Sequence, residues 1–164
     1  MRLRTRSYST SLRTGHGYTF LVRARDWAGN VGAWKVAATV KPSITQQTST
    51  SIAYSGSWST YTSTSYSGGT VKYATAAGAS ATYSFTGRAV GWVTTLKSTR
   101  GSAKVYVDGV LASTISLATT TTYRYVAFQK TWTTSGAHTL KIVVVGTSGH
   151  PRVDIDAFVV LRDG

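Results

Sequence analysis

Apolar residues in this chain recur at every second position and nowhere form a sustained 3.6-residue stripe, which confines it to β structure. Tyr18, Phe20, Val22 and Ala24 alternate with Thr19, Leu21, Arg23 and Arg25, and Ala81, Tyr83 and Phe85 alternate with Thr82 and Ser84. Turn residues separate such runs about every 8–14 positions. The clearest is Asp108-Gly109, between the alternating runs 103–107 and 110–115; Asp-Gly supplies the positive φ angles of a two-residue hairpin turn. The apolar residues are mostly Val, Ala and aromatics, and Ser plus Thr make up 48 of 164 residues, a balance that favours strands. No apolar run approaches the ~18 residues of a membrane span. The expected fold class is all-β, an antiparallel two-sheet sandwich over 52–161 with no helix longer than two turns.

Three segments are expected. In residues 1–41, an alternating run at 18–25 meets a turn at Asp26, Gly29 and Asn30, and a second extended run follows at 31–40. Residues 42–51 are polar and aperiodic after Pro42 and read as a linker. Residues 52–162 carry a string of strands, among them 52–58, 80–85, 90–96, 123–130 and 152–161. Ser135-Gly136 reads as a turn, and Val126 and Phe128 as one face of a strand.

The first segment resembles the last two strands of a fibronectin type III or related immunoglobulin-like module. There a Leu precedes the Tyr that opens the penultimate strand, as Leu12 and Tyr18 do here, and the Tyr hydroxyl ties back to the preceding turn. Such a module needs about seven strands, so 1–41 is expected to be a truncated remnant. The third segment carries Gly56-Ser57-Trp58, Gly68-Gly69-Thr70, Thr86-Gly87, Val105-Tyr106-Val107-Asp108-Gly109, His138-Thr139-Leu140 and Val153-Asp154-Ile155-Asp156-Ala157-Phe158, in that order. It resembles a galactose-binding-like jelly roll, a fold of many non-catalytic carbohydrate-binding modules. The resemblance implies a glycan-binding module of a larger exported bacterial surface or secreted protein, partnered by a polysaccharide or cell-wall glycan. The alternative is a structural or adhesive spacer with no small-ligand site. An extracellular or cell-surface location follows from the same resemblance, although Arg2, Arg4 and Arg6 precede no apolar signal region.

The inventory of reactive groups points away from catalysis. The chain has no Glu, five Asp, three His and no Cys. Asp154 and Asp156 are the one ordered carboxylate pair, and i, i+2 spacing sets both on one wall of one strand. Glycoside hydrolysis needs carboxyls on both sides of the bond, and no G-x-S-x-G elbow occurs. The expectation is therefore no enzyme, with Asp154 and Asp156 structural. Trp58, Tyr83, Phe85, Trp92, Val126 and Phe128 are expected in the core.

Candidate ligand-binding residues lie in the loops: Tyr61, Tyr66 and Trp132 as stacking rings, Lys97 and Arg100 as donors. Both basic residues only donate hydrogen bonds, and the chain holds one Asn and three Gln. A ligand is thus tilted toward uronate, sulfate or phosphate. The net charge of +13 agrees with polyanion attraction but is spread over the chain, eight basic residues and one acid falling in 1–41, and no like-charged run marks a nucleic-acid tail. The resemblance also implies a structural calcium near the first and last strands. Asp154 or Asp156 matches the last-strand acid, but 52–58 holds no acidic partner. No cofactor is expected, and Asp156 remains the weak metal candidate.

Overall fold

A computed structural model describes residues 10–164, so Arg2, Arg4 and Arg6 lie outside the described residues. The elements are β1 (Leu21–Val22), β2 (Lys35–Val36), β3 (Val40–Gln46), β4 (Ile52–Ser55), β5 (Ser59–Thr62), a 3-10 turn (Ser67–Gly69), β6 (Thr70–Ala74), β7 (Ser80–Leu96), β8 (Ser102–Val107), β9 (Val110–Ser116), β10 (Thr122–Val144), β11 (Val153–Ile155) and β12 (Ala157–Asp163). The chain is all-β, and every strand pairing is antiparallel. A seven-stranded sheet runs β3-β12-β7-β10-β8-β9 with β4 also on β7; a three-stranded sheet runs β11-β6-β5; β1 and β2 form a separate pair.

The core lies between the large sheet and the three-stranded one. Trp92, Tyr83, Phe158, Leu140 and Ile142 of the former meet Ala74, Val153 and Ile155 of the latter in one buried cluster. Tyr83 stacks between Phe158 and Phe85 at ring centroid distances of 4.7 and 5.3 Å. Its hydroxyl shares a 2.7 Å hydrogen bond with Thr45, so this buried polar tip is satisfied.

Two expected turns are absorbed into long strands. The runs 80–85 and 90–96 are one strand, β7, which passes through Thr86-Gly87. Its partner β10 likewise passes through Ser135-Gly136, where Thr131 opposes Ala89 and Gly136 opposes Gly87. The extra residues on β10 form an irregularity that lets both strands bend together. Gly87 is required there, because a Cβ would fall 2.6 Å from Val160 Cγ1 and 2.8 Å from the Leu161 carbonyl. A second irregularity, between Val126 and Phe128, inverts the alternation. Phe128 packs against the core, whereas Val126 is exposed, contrary to the expectation that both share one face.

The first half of the segment read as a linker, 42–46, is strand. β3 pairs with β12 over seven residues, from Val40↔Asp163 to Gln46↔Ala157. The run 152–161 is also divided: β11 belongs to the small sheet and β12 to the large one, with Asp156 at the crossing.

The N-terminal segment attaches to the start of β3. Tyr18 exchanges backbone hydrogen bonds with Val40, and Gly15 N–H donates to the Pro42 carbonyl. The Tyr18 hydroxyl accepts the N–H of Arg13 at 2.8 Å, the tie expected of a tyrosine corner. Asp26 accepts from both the backbone and side-chain nitrogens of Asn30 at 2.8 Å, closing the expected turn. Beyond it, Leu21, Val22 and Val36 remain largely exposed.

Candidate functional site

β5, β6 and β11 and the 3-10 turn bring together an aromatic and basic cluster. Asp154 opposes Tyr73 across β11 and β6, and Tyr73 opposes Ser59 across β6 and β5. Asp154 is fully buried and held by two guanidinium groups: Arg100 Nε donates to Oδ2 at 2.5 Å and Arg152 Nε to Oδ1 at 2.6 Å. A carboxylate out of water is tolerable only with such complete pairing. Arg152 then lies over the Tyr73 ring at 3.8 Å, with the Tyr61 ring 5.8 Å away. Its Nη2 has no protein acceptor.

Three tyrosines form a row beside this pair. Tyr66 meets Tyr61 edge-on at 6.1 Å on one side and Tyr123 at 5.7 Å on the other. The outer two rings are exposed and the middle one is buried. The Arg124 guanidinium fixes the turn below them by donating to the carbonyls of Thr64, Ser65 and Tyr66. Arg124 reaches this position from a left-handed backbone, φ 54°, which costs a non-glycine residue about 1–3 kcal/mol and persists only where other contacts enforce it.

The five candidate residues separate by role. Tyr61 is an exposed ring on the edge strand β5; Tyr66 is buried, its hydroxyl pKa raised by burial. Arg100 is buried in the Asp154 pair, not presented by its loop. Lys97 is half-buried in the same loop, its carbonyl accepting the Arg100 N–H at 2.8 Å. Trp132 stacks on His138 at 3.8 Å and tilts against Phe85, among groups apart from the tyrosine row. Arg152, Tyr73 and Tyr123 were not anticipated. The signal for Arg152 was its i, i+2 relation to Asp154, which sets both on one face of an extended segment.

Asp156 is the other buried acid, and it does not share the setting of Asp154. Its Oδ1 accepts the Ser67 N–H at 2.8 Å, while Oδ2 meets no protein donor. Burial pushes its carboxyl up to about 6, against the Ser67 N–H and the charge of Arg124. Gln46 and Gln47 also carry buried Oε1 atoms without a donor. Buried oxygens of this kind suit a hard cation, but the acidic partner expected in 52–58 is absent. A calcium ion there would be held by Gln46, Gln47 and Asp156 and would supply charge compensation and cross-linking.

His138, on which Trp132 stacks, belongs to a different feature, an open cleft of about 780 Å³ lined by Ser84, Phe85, Asp108, His138 and Arg162 among others. Asp108 Oδ2 and His138 Nδ1 are 2.8 Å apart, and Asp108 Oδ1 accepts the Thr139 N–H at 2.8 Å. Desolvation raises the Asp108 pKa, but these partners outweigh it and hold the carboxyl below its ordinary value.

No family model matches the chain. Over 108 residues, 66% of this chain, it is 33% identical to the A type blood N-acetyl-alpha-D-galactosamine deacetylase of Flavonifractor plautii, spanning 14% of that protein. Over 105 residues it is 30% identical to the A type blood alpha-D-galactosamine galactosaminidase of the same organism, spanning 9% of it. Among solved structures it is similar to a family two carbohydrate esterase from Cellvibrio japonicus, with TM-score 0.57, 14% identity, and coverage of 75% of this chain and 34% of that one. The catalytic domain of a GH87 alpha-1,3-glucanase matches with TM-score 0.51 and 16% identity over 75% of this chain and 28% of that one. A Paenibacillus xanthan lyase matches with TM-score 0.52 and 18% identity over 74% and 13%. The structural likenesses concern the fold alone. The chain is an all-β antiparallel sandwich domain that aligns with a small part of large carbohydrate-active enzymes.

Proposed function

We propose that this chain is a non-catalytic glycan-binding module of a larger exported bacterial surface or secreted protein, and that it favours anionic polysaccharide. The observation that carries this reading is the row Tyr61–Tyr66–Tyr123 beside Arg152. Two exposed rings flank a buried one that fixes their spacing, and flat rings stack on the apolar faces of pyranoses. Arg152, whose side chain is partly exposed, adds positive charge beside the rings, and a guanidinium suits a carboxylate or sulfate. Partial alignment with proteins that act on carbohydrates supports the same reading.

The test is glycan-array binding of the whole chain at two salt concentrations. Binding to uronate- or sulfate-bearing polysaccharides is expected, and Tyr61→Ala with Tyr123→Ala should weaken it at least tenfold while the fold is retained. Binding that vanishes at high salt and ignores both tyrosines would mean charge attraction alone. A second reading, the spacer without a ligand site, is favoured by Tyr66 and Arg100, two of the five candidates, being consumed by the fold. Absence of binding to any glycan would establish that reading.

A further inference from the structure

The open cleft beside His138 shares no residue with the tyrosine row, and its lining brings unlike polar groups to one concave surface: Ser51, Ser84, Asp108, His138, Thr139 and Arg162. Its volume, about 780 Å³, falls in the range of small-molecule sites. Asp108 is held in place by its own hairpin. Its backbone is left-handed, φ 50°, as the turn with Gly109 requires. That turn folds back on β10: the Asp108 N–H donates to the Thr139 carbonyl at 3.0 Å, and Oδ1 accepts the Thr139 N–H at 2.8 Å. Oδ2 meets His138 Nδ1 at 2.8 Å, and the imidazole is itself fixed by its stack on Trp132. The Asp108 side chain is nevertheless 44% exposed. An ionised carboxyl has about four acceptor sites, so it can still receive hydroxyl protons. Arg162 is anchored in a similar way. Its Nε donates to Ser43 Oγ at 3.2 Å and its Nη1 to the Thr86 carbonyl at 3.0 Å, which leaves the rest of its N–H groups for a ligand.

We infer that this cleft is a second saccharide site, which takes a neutral sugar by its hydroxyls, with Asp108 accepting and Arg162 donating. The opposed charges select the class. An anion meets the Asp108 carboxylate and a cation meets Arg162, so a charged ligand of either sign faces a like charge. A sugar hydroxyl both donates and accepts, so one sugar carries the donor that Asp108 needs and the acceptor that Arg162 needs. Hydrogen bonds to an ionised group are roughly twice as strong as neutral ones. Ser51 and Ser84 are exposed and add hydroxyls of either polarity, while Phe85 gives the lining an apolar portion for ring C–H groups. The other four acids are engaged elsewhere: Asp26 by Asn30, Asp163 by Arg88, Asp154 by two arginines and Asp156 by the Ser67 N–H. Asp108 is thus the carboxylate that opens onto a concave surface. The inference does not rest on the tyrosine row, where Arg152 favours an anion; here the opposed charges favour a neutral ligand.

The experiment follows the backbone amides of the whole chain by two-dimensional NMR during titration. Methyl α-galactoside, methyl α-glucoside and methyl α-mannoside are the neutral probes, and galacturonate is the anionic one. At least one neutral probe is expected to shift the amides of Ser84, Asp108 and Thr139 saturably, equally at low and high salt. The shift should persist when Tyr61→Ala and Tyr123→Ala are combined. Asp108→Asn should weaken this binding by about tenfold or more, the loss of a hydrogen bond to a charged group. Ser84→Tyr, at an exposed strand position, fills the cleft and should abolish binding with Tm unchanged. This variant keeps the test decisive where Asp108→Asn disturbs the hairpin. No shift at these amides with any neutral probe, shifts that survive both variants, or galacturonate matching the best neutral probe there would each overturn the inference. Binding at the tyrosine row is read from Tyr61 and Tyr123, and binding here from Asp108 and Ser84, so failure of one reading is distinguishable from failure of the other.

Discussion

At the residue scale, the five acids of this chain have sharply different environments. Asp154 is fully buried between Arg100 and Arg152. Asp154→Asn leaves two guanidinium groups without their counter-charge, and a loss of about 3–5 kcal/mol is expected in urea unfolding. Tyr61→Ala, on an exposed edge strand, should stay within about 0.5 kcal/mol of the parent. The contrast separates fold from binding surface. Asp108 gives a pH signature instead. Its folded carboxyl lies below the ordinary value of 3.8, so as acid is added the unfolded chain takes up its proton first. Its stabilisation is therefore full above the unfolded value and fades as pH falls through the lower, folded one. Unfolding midpoints measured from pH 6 to pH 2 should drop less steeply in Asp108→Asn.

At the scale of elements, β3 decides where the chain can be cut. It lies within residues that read as a linker because Lys41, Pro42 and Ser43 break the apolar rhythm. Pro42 is tolerated there because β3 is the end strand of the large sheet, paired along its length with β12, while on its other side the N-terminal segment bonds it at Val40 and at the Pro42 carbonyl, which needs no N–H from Pro42. A chain of residues 40–164 keeps every strand of both packed sheets and should unfold cooperatively by circular dichroism. A chain of residues 46–164 loses β3 and bares β12, including the backbone of Phe158 and Val160 that pairs with Thr45 and Ser43. Its transition should shift to lower temperature and broaden. Equal transitions for the two chains would show that β3 contributes nothing to the sandwich. Gly87 is the matching test for the bent pair β7 and β10. Gly87→Ala drives a methyl into the Leu161 carbonyl, and overpacking of this kind costs about 1–3 kcal/mol.

At the scale of the whole molecule, the net charge of +13 acts on encounter rather than on the site. Association with an anionic polysaccharide should slow steeply with ionic strength, while the dissociation rate should respond chiefly to Tyr61 and Tyr123. Surface-plasmon measurements at two salt concentrations divide the two contributions.

The sequence by itself determined the class of fold, since period-2 alternation sends every second side chain to a sheet face and admits no helix. It also located the Asp108-Gly109 hairpin and the Asp26–Asn30 turn, because turn chemistry is local. Only the tertiary structure decided that Thr86-Gly87 and Ser135-Gly136 bend strands instead of ending them, for each bend is stabilised by the other strand lying beside it. Only it decided that Asp154 and Asp156 part company, because the chain changes sheets between them. The tyrosine row was half legible: Tyr61 and Tyr66 sit in a loop-like stretch, but Tyr123 and Arg152 join them through pairings more than 50 residues apart. The amides at the end of β3 were hidden for the same reason. Nothing local marks a Gln whose hydrogen-bond partner, Ser67, lies 21 residues away along the chain.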